Sequence, residues 1–349
     1  MIDTPLLAVV IPLFNRPELL RYSLSSVRAA RKDISLEVVI VDDGSTDKPD
    51  AVIGEFPDLP IRTIRQINSG SIPARLNGFR ASTARYIQFL DSDDLVAPEK
   101  FIRQLDELER SGSDLVYCDA AHVNLEGPYE ALTPIPDKTL QSTDSLPTFC
   151  FQIQPNPHAA IYRRTLLAAA LNAPIVSPAR RYDPVGDAWL YYNLCTLSGG
   201  VRYTPGSWAI VGRHPGVRYS RHWEALGIAA WHMMKEFHQQ CPRTATTERA
   251  RQLFGETCLA MWRALPRRFD ERLEKSLLAM WREAPVSPTR HLGGPCFRAV
   301  ASSIGILPAA HFFRRLQRPL YKEIATLPAA ILQSMLSEDQ SFAEEAPES

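Results

Sequence analysis

What most constrains this chain is a rhythm in its first 120 residues. Short apolar runs end abruptly in polar clusters, and a helix-like segment precedes the next run. Leu7–Leu13 is almost wholly apolar, as a strand buried on both faces must be. Pro17–Arg31 then places Leu19, Leu20, Leu24 and Val27 on one helical face, with Pro17 at an early position. Strands follow over 36–41, 61–65, 86–90 and 114–118, separated by helical patterns over 72–83 and 98–110. This alternation predicts an α/β fold, a mostly parallel sheet flanked by helices. In such sheets ligands bind beyond the carboxyl ends of the strands. Four polar groups stand at those ends: Asn15-Arg16, Asp42-Asp43, Asn68-Ser69 and Asp91-Ser92-Asp93-Asp94. The topology should gather all four at one edge of the sheet.

The pattern loosens beyond. Residues 127–157 are proline-bearing and aperiodic, 159–162 read as a strand, and 187–197 as a helix. Residues 201–212 read as short strands around Pro205-Gly206. Two long helices are expected over Trp223–Gln240 and 246–264. The expected domains are therefore 1–220, with a nucleotide-binding half (1–120) and an acceptor half (121–220). A helical, basic region (221–336) and a disordered acidic tail (337–349) follow. Charges balance, 39 Lys and Arg against 39 Asp and Glu, which gives no footing for nucleic-acid binding. Six scattered cysteines, none paired as C-x-x-C, suit a reduced cytoplasmic protein. Neither a signal peptide nor a membrane-spanning helix is expected.

The acidic cluster carries the chemistry. Asp91 and Asp93 follow a strand at i and i+2, so both can face one ligand. Two converging carboxylates repel, and a divalent cation relieves that. Mg2+ and Mn2+ prefer carboxylate oxygens and are commonly shared with diphosphates. The alternative is a solvated turn. Asp42 and Asp43, at the end of the second strand, suit hydrogen bonding to a base or ribose, or simply an Asx-turn. Arg75, on the helix before the acidic strand, suits orienting Asp91 or binding phosphate.

The series Val9 to Arg16, Val38 to Asp47, Ala74 to Gly78 and Phe89 to Asp94 resembles family 2 glycosyltransferases of the GT-A (Rossmann-like) fold, in order and in spacing. The resemblance covers residues 6 to about 120. It implies an enzyme that uses a nucleotide-diphosphate sugar and a divalent metal (Mn2+ or Mg2+), with inversion. Pro12 and Phe14 would line the base pocket beside Asn15. Asp43, with Asp42, would contact the base or ribose, and Arg75 would support the acidic cluster. Asp91 would touch the ribose, Asp93 would bind the metal, and Asp94, next to Ser92, would help hold the cluster or the sugar. The family's catalytic base lies in an acidic pair opening a helix past this motif. Asp187 matches its second member, but Gly186 stands where the first is expected, and Asp183 is the reserve. Asp187 is also a good N-cap residue. Downstream, His214 would ligate the metal or contact phosphate, and Arg213 or Arg218 would clamp the diphosphate. His158 is placed towards the acceptor.

Residues 263–322 hold 12 Lys and Arg against four Asp and Glu. Mixed with aromatic and aliphatic residues, this suits peripheral contact with anionic lipid on the inner face of the membrane, or a helical appendage packed on protein. A glycan or lipid-linked acceptor is expected, in cell-envelope polysaccharide, glycolipid or glycoconjugate synthesis. Two rival readings remain. One is a catalytically inactive sugar-nucleotide-binding or scaffolding partner, favoured by Gly186. The other is a sugar nucleotidyltransferase, disfavoured because the loop after the first strand lacks glycine.

Overall fold

The computed structural model describes residues 4–215 and 222–337. Arg218 and the acidic tail from 338 onward therefore lie outside the described residues. The chain divides into two compact units, Met1–Val217 and Arg218–Ser349.

The first unit is built on a curled sheet. Its elements run β1 (Leu7–Leu13), α1 (Pro17–Arg31), β2 (Leu36–Asp42), α2 (Asp50–Ile53), β3 (Ile61–Arg65), α3 (Ser71–Ala81), β4 (Tyr86–Phe89), β5 (Leu95–Val96), α4 (Lys100–Ser111), β6 (Leu115–Asn124), β7 (Ile135–Pro136), α5 (Leu146–Thr148), β8 (Ala160–Arg163), α6 (Arg164–Leu171), α7 (Gly186–Leu194) and β9 (Val201–Arg213). The strand order is β3-β2-β1-β4-β8-β6-β9-β5, with β7 paired to β6. As the alternation predicts, β3, β2, β1 and β4 are parallel. β1 is buried along its length except at Pro12, which is partly buried. α1 and α4 cover one face with Leu20, Leu24, Val27, Phe101, Leu105 and Leu108, all in the main core.

The second half of the sheet departs from the expectation. β8 runs antiparallel between β4 and β6, so the sheet becomes mixed. β6 continues to Asn124 instead of ending near 118, because it pairs along its whole length with β9. β9 is one 13-residue strand, not several short ones. Pro205-Gly206 is absorbed by register shifts opposite Asp119. The Asp119 carboxylate steadies that irregularity, accepting from the Tyr203 hydroxyl at 2.6 Å, the Gly206 N–H at 3.1 Å and the Leu140 N–H at 2.7 Å. β5, only two residues long, pairs antiparallel with β9 and has no periodicity to announce it.

The second unit is helical: α8 (Trp223–Gln240), α9 (Glu248–Ala264), α10 (Glu271–Glu283), α11 (Pro295–Ile304), α12 (Ile306–Gln317) and α13 (Ala329–Leu336). Its interior holds Phe237, Phe254, Leu273 and Leu277. The buried Glu224 carboxylate accepts the Thr326 N–H at 2.7 Å and the Leu327 N–H at 3.2 Å, tying α8 to the loop before α13. Among the described residues, no helix is long and apolar enough to cross a membrane.

Candidate active site

The four polar groups expected at the carboxyl ends of the strands do meet. Asn15, at φ +49°, accepts the Thr46 N–H at 2.8 Å and donates its own N–H to Ser45 Oγ at 3.1 Å. This joins the loops after β1 and β2. Asp42 Oδ1 accepts the Ser45 N–H at 2.8 Å, closing an Asx-turn. Asp43 reaches the other way. Its Oδ1 accepts from Gln66 Nε2 at 2.7 Å and the Ser69 N–H at 2.8 Å, and its Oδ2 from the Gly70 N–H at 2.8 Å. Both aspartates are buried and are engaged in shaping loops. Phe14, in contrast, is 43% exposed beside them.

The acidic cluster sits in a turn closed by the Asp94 N–H on Asp91 O at 3.0 Å and clipped by the Ser23 hydroxyl, which donates to Asp94 O at 2.7 Å. Its three carboxylates take different protein partners. Asp91 Oδ1 accepts from Arg75 Nη2 at 2.7 Å. Asp93 Oδ2 lies 2.9 Å from both Arg16 Nη1 and His214 Nε2. Asp94 turns inward with Ser92, both buried. Its Oδ1 accepts the Gly212 N–H at 3.0 Å, and its Oδ2 stands 3.0 Å from His158 Nδ1, close enough for a charge contact though not aligned as a hydrogen bond. His158 is 1% exposed and lies beneath Asp94, so the placement towards an acceptor is corrected. The backbone is tight here: a Cβ at Gly212 would stand 2.0 Å from Asp93 O. That close approach carries His214, two residues on, to Asp93. Arg213 is exposed at the end of β9.

Asp187, in the first turn of α7, joins the cluster through Arg75. Arg75 Nη2 lies 3.2 Å from Asp187 Oδ1 as well as 2.7 Å from Asp91. Burial opposes the Arg75 charge, but Asp91, Asp187 and Asp183 outweigh it and keep the guanidinium ionised. For Asp91, burial is likewise outweighed, chiefly by Arg75, and its carboxyl lies below the ordinary value. Asp187 goes the other way. The packed protein around it pushes its carboxyl up to about 6, with Asp91 and Asp94 adding to the rise and Arg75 opposing it. Half of the side chain, 52%, is nonetheless accessible. It opens on a cavity of about 250 Å³ whose lining includes Gln154, Asn156, Ala188 and Tyr191. A carboxylate raised towards neutrality, with an open face on a cavity, is suited to taking up a proton.

Asp183 is a different group. Its Oδ1 accepts from the Ser71 hydroxyl at 3.1 Å and the Ile72 N–H at 3.2 Å, so it caps α3 from a distant segment. Gly70 makes room for it: at φ +103°, a Cβ there would lie 2.0 Å from Asp183 Oδ2. Gly186 also has a local reason. A Cβ at that position would stand 3.4 Å from Arg75 Nη1 and 3.2 Å from Ser71 Oγ, so a larger residue would crowd the guanidinium.

A metal fits the residues present as an open site. Asp93 and His214 meet at one point, and Mg2+ or Mn2+ characteristically takes one or two protein ligands beside diphosphate oxygens and water. Among the described residues, no three His, Cys, Asp or Glu side chains form a fuller cage.

Sequence reasoning reached Asp91, Asp93, Asp187, Arg75 and His214. It missed Arg16 as a partner of Asp93, Ser23 beneath the turn, and the Asp183 cap. A serine in the middle of an amphipathic helix carries no local sign of such a contact.

The curled α/β sheet, with its buried arginine, acidic turn and cavity at one strand edge, has the GT-A glycosyltransferase fold. Residues 8–169 match the family model "Glycosyl transferase family 2". Among curated proteins it is 31% identical over 124 residues to the succinoglycan biosynthesis protein ExoO of Rhizobium meliloti, covering 35% of each chain. The chain spans about a third of the length of the first curated relatives it matches. Among solved structures, S. aureus TarS 1-349 in complex with UDP aligns at TM-score 0.61 and 15% identity, covering 88% of this chain and 90% of that one. Mannosyltransferase PcManGT from Pyrobaculum calidifontis, in complex with GDP-Man and Mn2+, aligns at 0.52 and 15%, covering 96% and 85%. These likenesses show the fold.

Proposed function

We propose that this protein transfers a sugar from a nucleoside-diphosphate donor to an acceptor hydroxyl, with inversion at the anomeric carbon, in the synthesis of a cell-surface polysaccharide or glycoconjugate. The observation that carries the reading is the buried Arg75, which bridges Asp91 and the half-exposed Asp187 at the strand edge. It ties the donor side of the site to the candidate base. Phe14 and Pro12 would flank the nucleotide base, while Asn15, Asp42 and Asp43 hold the loops that shape that pocket. Asp91 would receive the ribose. Asp93 and His214 would hold Mn2+ or Mg2+, which when bound would neutralise charge on the diphosphate. Arg16, 2.9 Å from Asp93, and Arg213, next to His214 in the chain, would serve the phosphates. Asp187 would take the proton of the acceptor hydroxyl arriving from the cavity, and a single displacement inverts configuration.

ExoO by its name acts in succinoglycan synthesis, TarS was solved with UDP, and PcManGT with GDP-Man and Mn2+. Those names support a polysaccharide setting, a nucleotide donor and a metal. The test is a donor screen by thermal shift with and without Mn2+, followed by turnover of Asp187→Asn with the donor so identified. A metal-dependent shift with one nucleotide sugar, and lost turnover with retained shift in the variant, are expected. Full turnover of Asp187→Asn rejects the assigned base. A shift without any transfer or hydrolysis by the unaltered protein would favour an inactive binder.

A further inference from the structure

One helix of the second unit carries its polarity inside out. α12 buries Ala309, Ala310 and the charged Arg314. Arg314 donates to Glu274 Oε2 at 2.6 Å, Pro266 O at 2.7 Å and Leu265 O at 3.2 Å, and its guanidinium lies 4.4 Å from the centre of the Trp262 ring. Beside it, Phe313 packs on Phe297 of α11, with ring centroids 5.9 Å apart. With that face held, Phe312 and Leu316 point outward, 50% and 68% exposed. They stand four residues apart and so form one stripe. Exposed Pro308, four residues earlier, extends it. A helix packed only for water would have turned these apolar groups in and the arginine out.

Cations flank the stripe. Arg315 lies next to Leu316, Arg298 is exposed on α11, and Arg318 and Lys322 are exposed just past α12. Residues 284–322 contain six Lys and Arg and no Asp or Glu. Carboxylates that border the segment have other partners: Glu274 accepts from Arg314, Glu283 from Arg243, and Glu323 from the Leu320 N–H, while Glu256 lies 3.1 Å from His291. An apolar stripe alone would suit a protein groove. A stripe bordered by arginines with no acidic residue suits an anionic bilayer. There Phe and Leu enter the acyl boundary while the guanidinium groups meet lipid phosphates.

We propose that the α11–α12 hairpin docks this protein on an anionic lipid surface, with Phe312 and Leu316 inserted and Arg298, Arg315, Arg318 and Lys322 on the headgroups. The inference does not depend on which sugar is transferred, or on transfer at all.

The experiment is co-sedimentation of the full chain with vesicles of phosphatidylcholine alone and of equal parts phosphatidylcholine and phosphatidylglycerol, at low and high salt. Binding to the mixed vesicles only, weakened by salt, is expected. Phe312→Glu with Leu316→Glu should lower that partition by about tenfold or more, and Arg315→Glu with Arg318→Glu should do likewise. All four positions are exposed, and only a surface hydrogen bond from Arg318 to Arg263 O, 3.1 Å, is given up with the arginines, so thermal midpoints should stay near that of the unaltered protein, and equal midpoints show that lost binding is not lost folding. Three outcomes overturn the proposal: no partition to anionic vesicles, equal partition to neutral ones, or undiminished binding by both variants. A fourth is self-association, seen by light scattering and abolished by Phe312→Glu with Leu316→Glu, which would give the stripe to a second copy of the chain.

Discussion

Each unit of this protein buries an arginine, and the two are used in opposite ways. Arg314 is satisfied by a carboxylate, two carbonyls and an indole ring. Arg75 is equally buried, yet it holds two carboxylates of which one, Asp187, opens on a cavity, and among the described residues its own Nε has no hydrogen-bond partner. Arg314 staples α12 to the helices beneath it. Arg75 sets the ionisation of its partners, lowering Asp91 and restraining the rise of Asp187. A buried charge that is fully enclosed by partners reads as structure. One whose partners reach a cavity reads as chemistry.

The comparison can be broken most sharply at Asp187. Asp187→Asn should lower turnover by about 10²–10⁴-fold, the range for loss of a general base, with donor binding kept. Steady-state turnover beside a thermal shift reads both. In the other unit, Arg314→Ala should cost about 3 kcal/mol of stability by leaving Glu274 without its partner. Urea unfolding measures it, and transfer per folded molecule should not change. A large fall in transfer with stability intact would reverse the contrast between the two arginines.

Smaller effects sharpen it. Asp43→Asn puts an amide where the Gln66 side chain and the Ser69 and Gly70 N–H groups all donate. It should cost about 1–3 kcal/mol in stability or donor binding. Urea unfolding and donor titration distinguish the two. The smallest effect is in the pH profile. A base acts when deprotonated, so activity limited by Asp187 holds above its pKa of about 6 and declines as the pH falls through it. One pH unit below, the loss should be about tenfold. Because Arg75 pulls that pKa down, Arg75→Met should move the acid limb to higher pH. A limb that stays in place would separate Arg75 from Asp187.

Local patterning by itself determined the first half of this protein. The apolar runs of β1, β2 and β4, the helical stripe of α1 and the turn chemistry of Asp42-Asp43-Gly44 are properties of neighbouring residues, so strand ends and their polar groups are legible in order. What side chains do at those ends was decided by tertiary structure. Asp91, Asp93 and Asp94 look alike in the chain, but Asp94 meets Gly212 and Asp93 meets His214 across 118 and 121 residues. Those meetings depend on the β6–β9 register and on the bulge at Asp119 that absorbs Pro205-Gly206. Likewise, Asp183 reads as a candidate base until the fold brings it to the amino end of α3. Secondary structure follows from a period of a few residues, and that period is written locally. Which carboxylate is capped, buried or left open is a matter of distances between segments far apart in the chain, and only the packed sheet sets those.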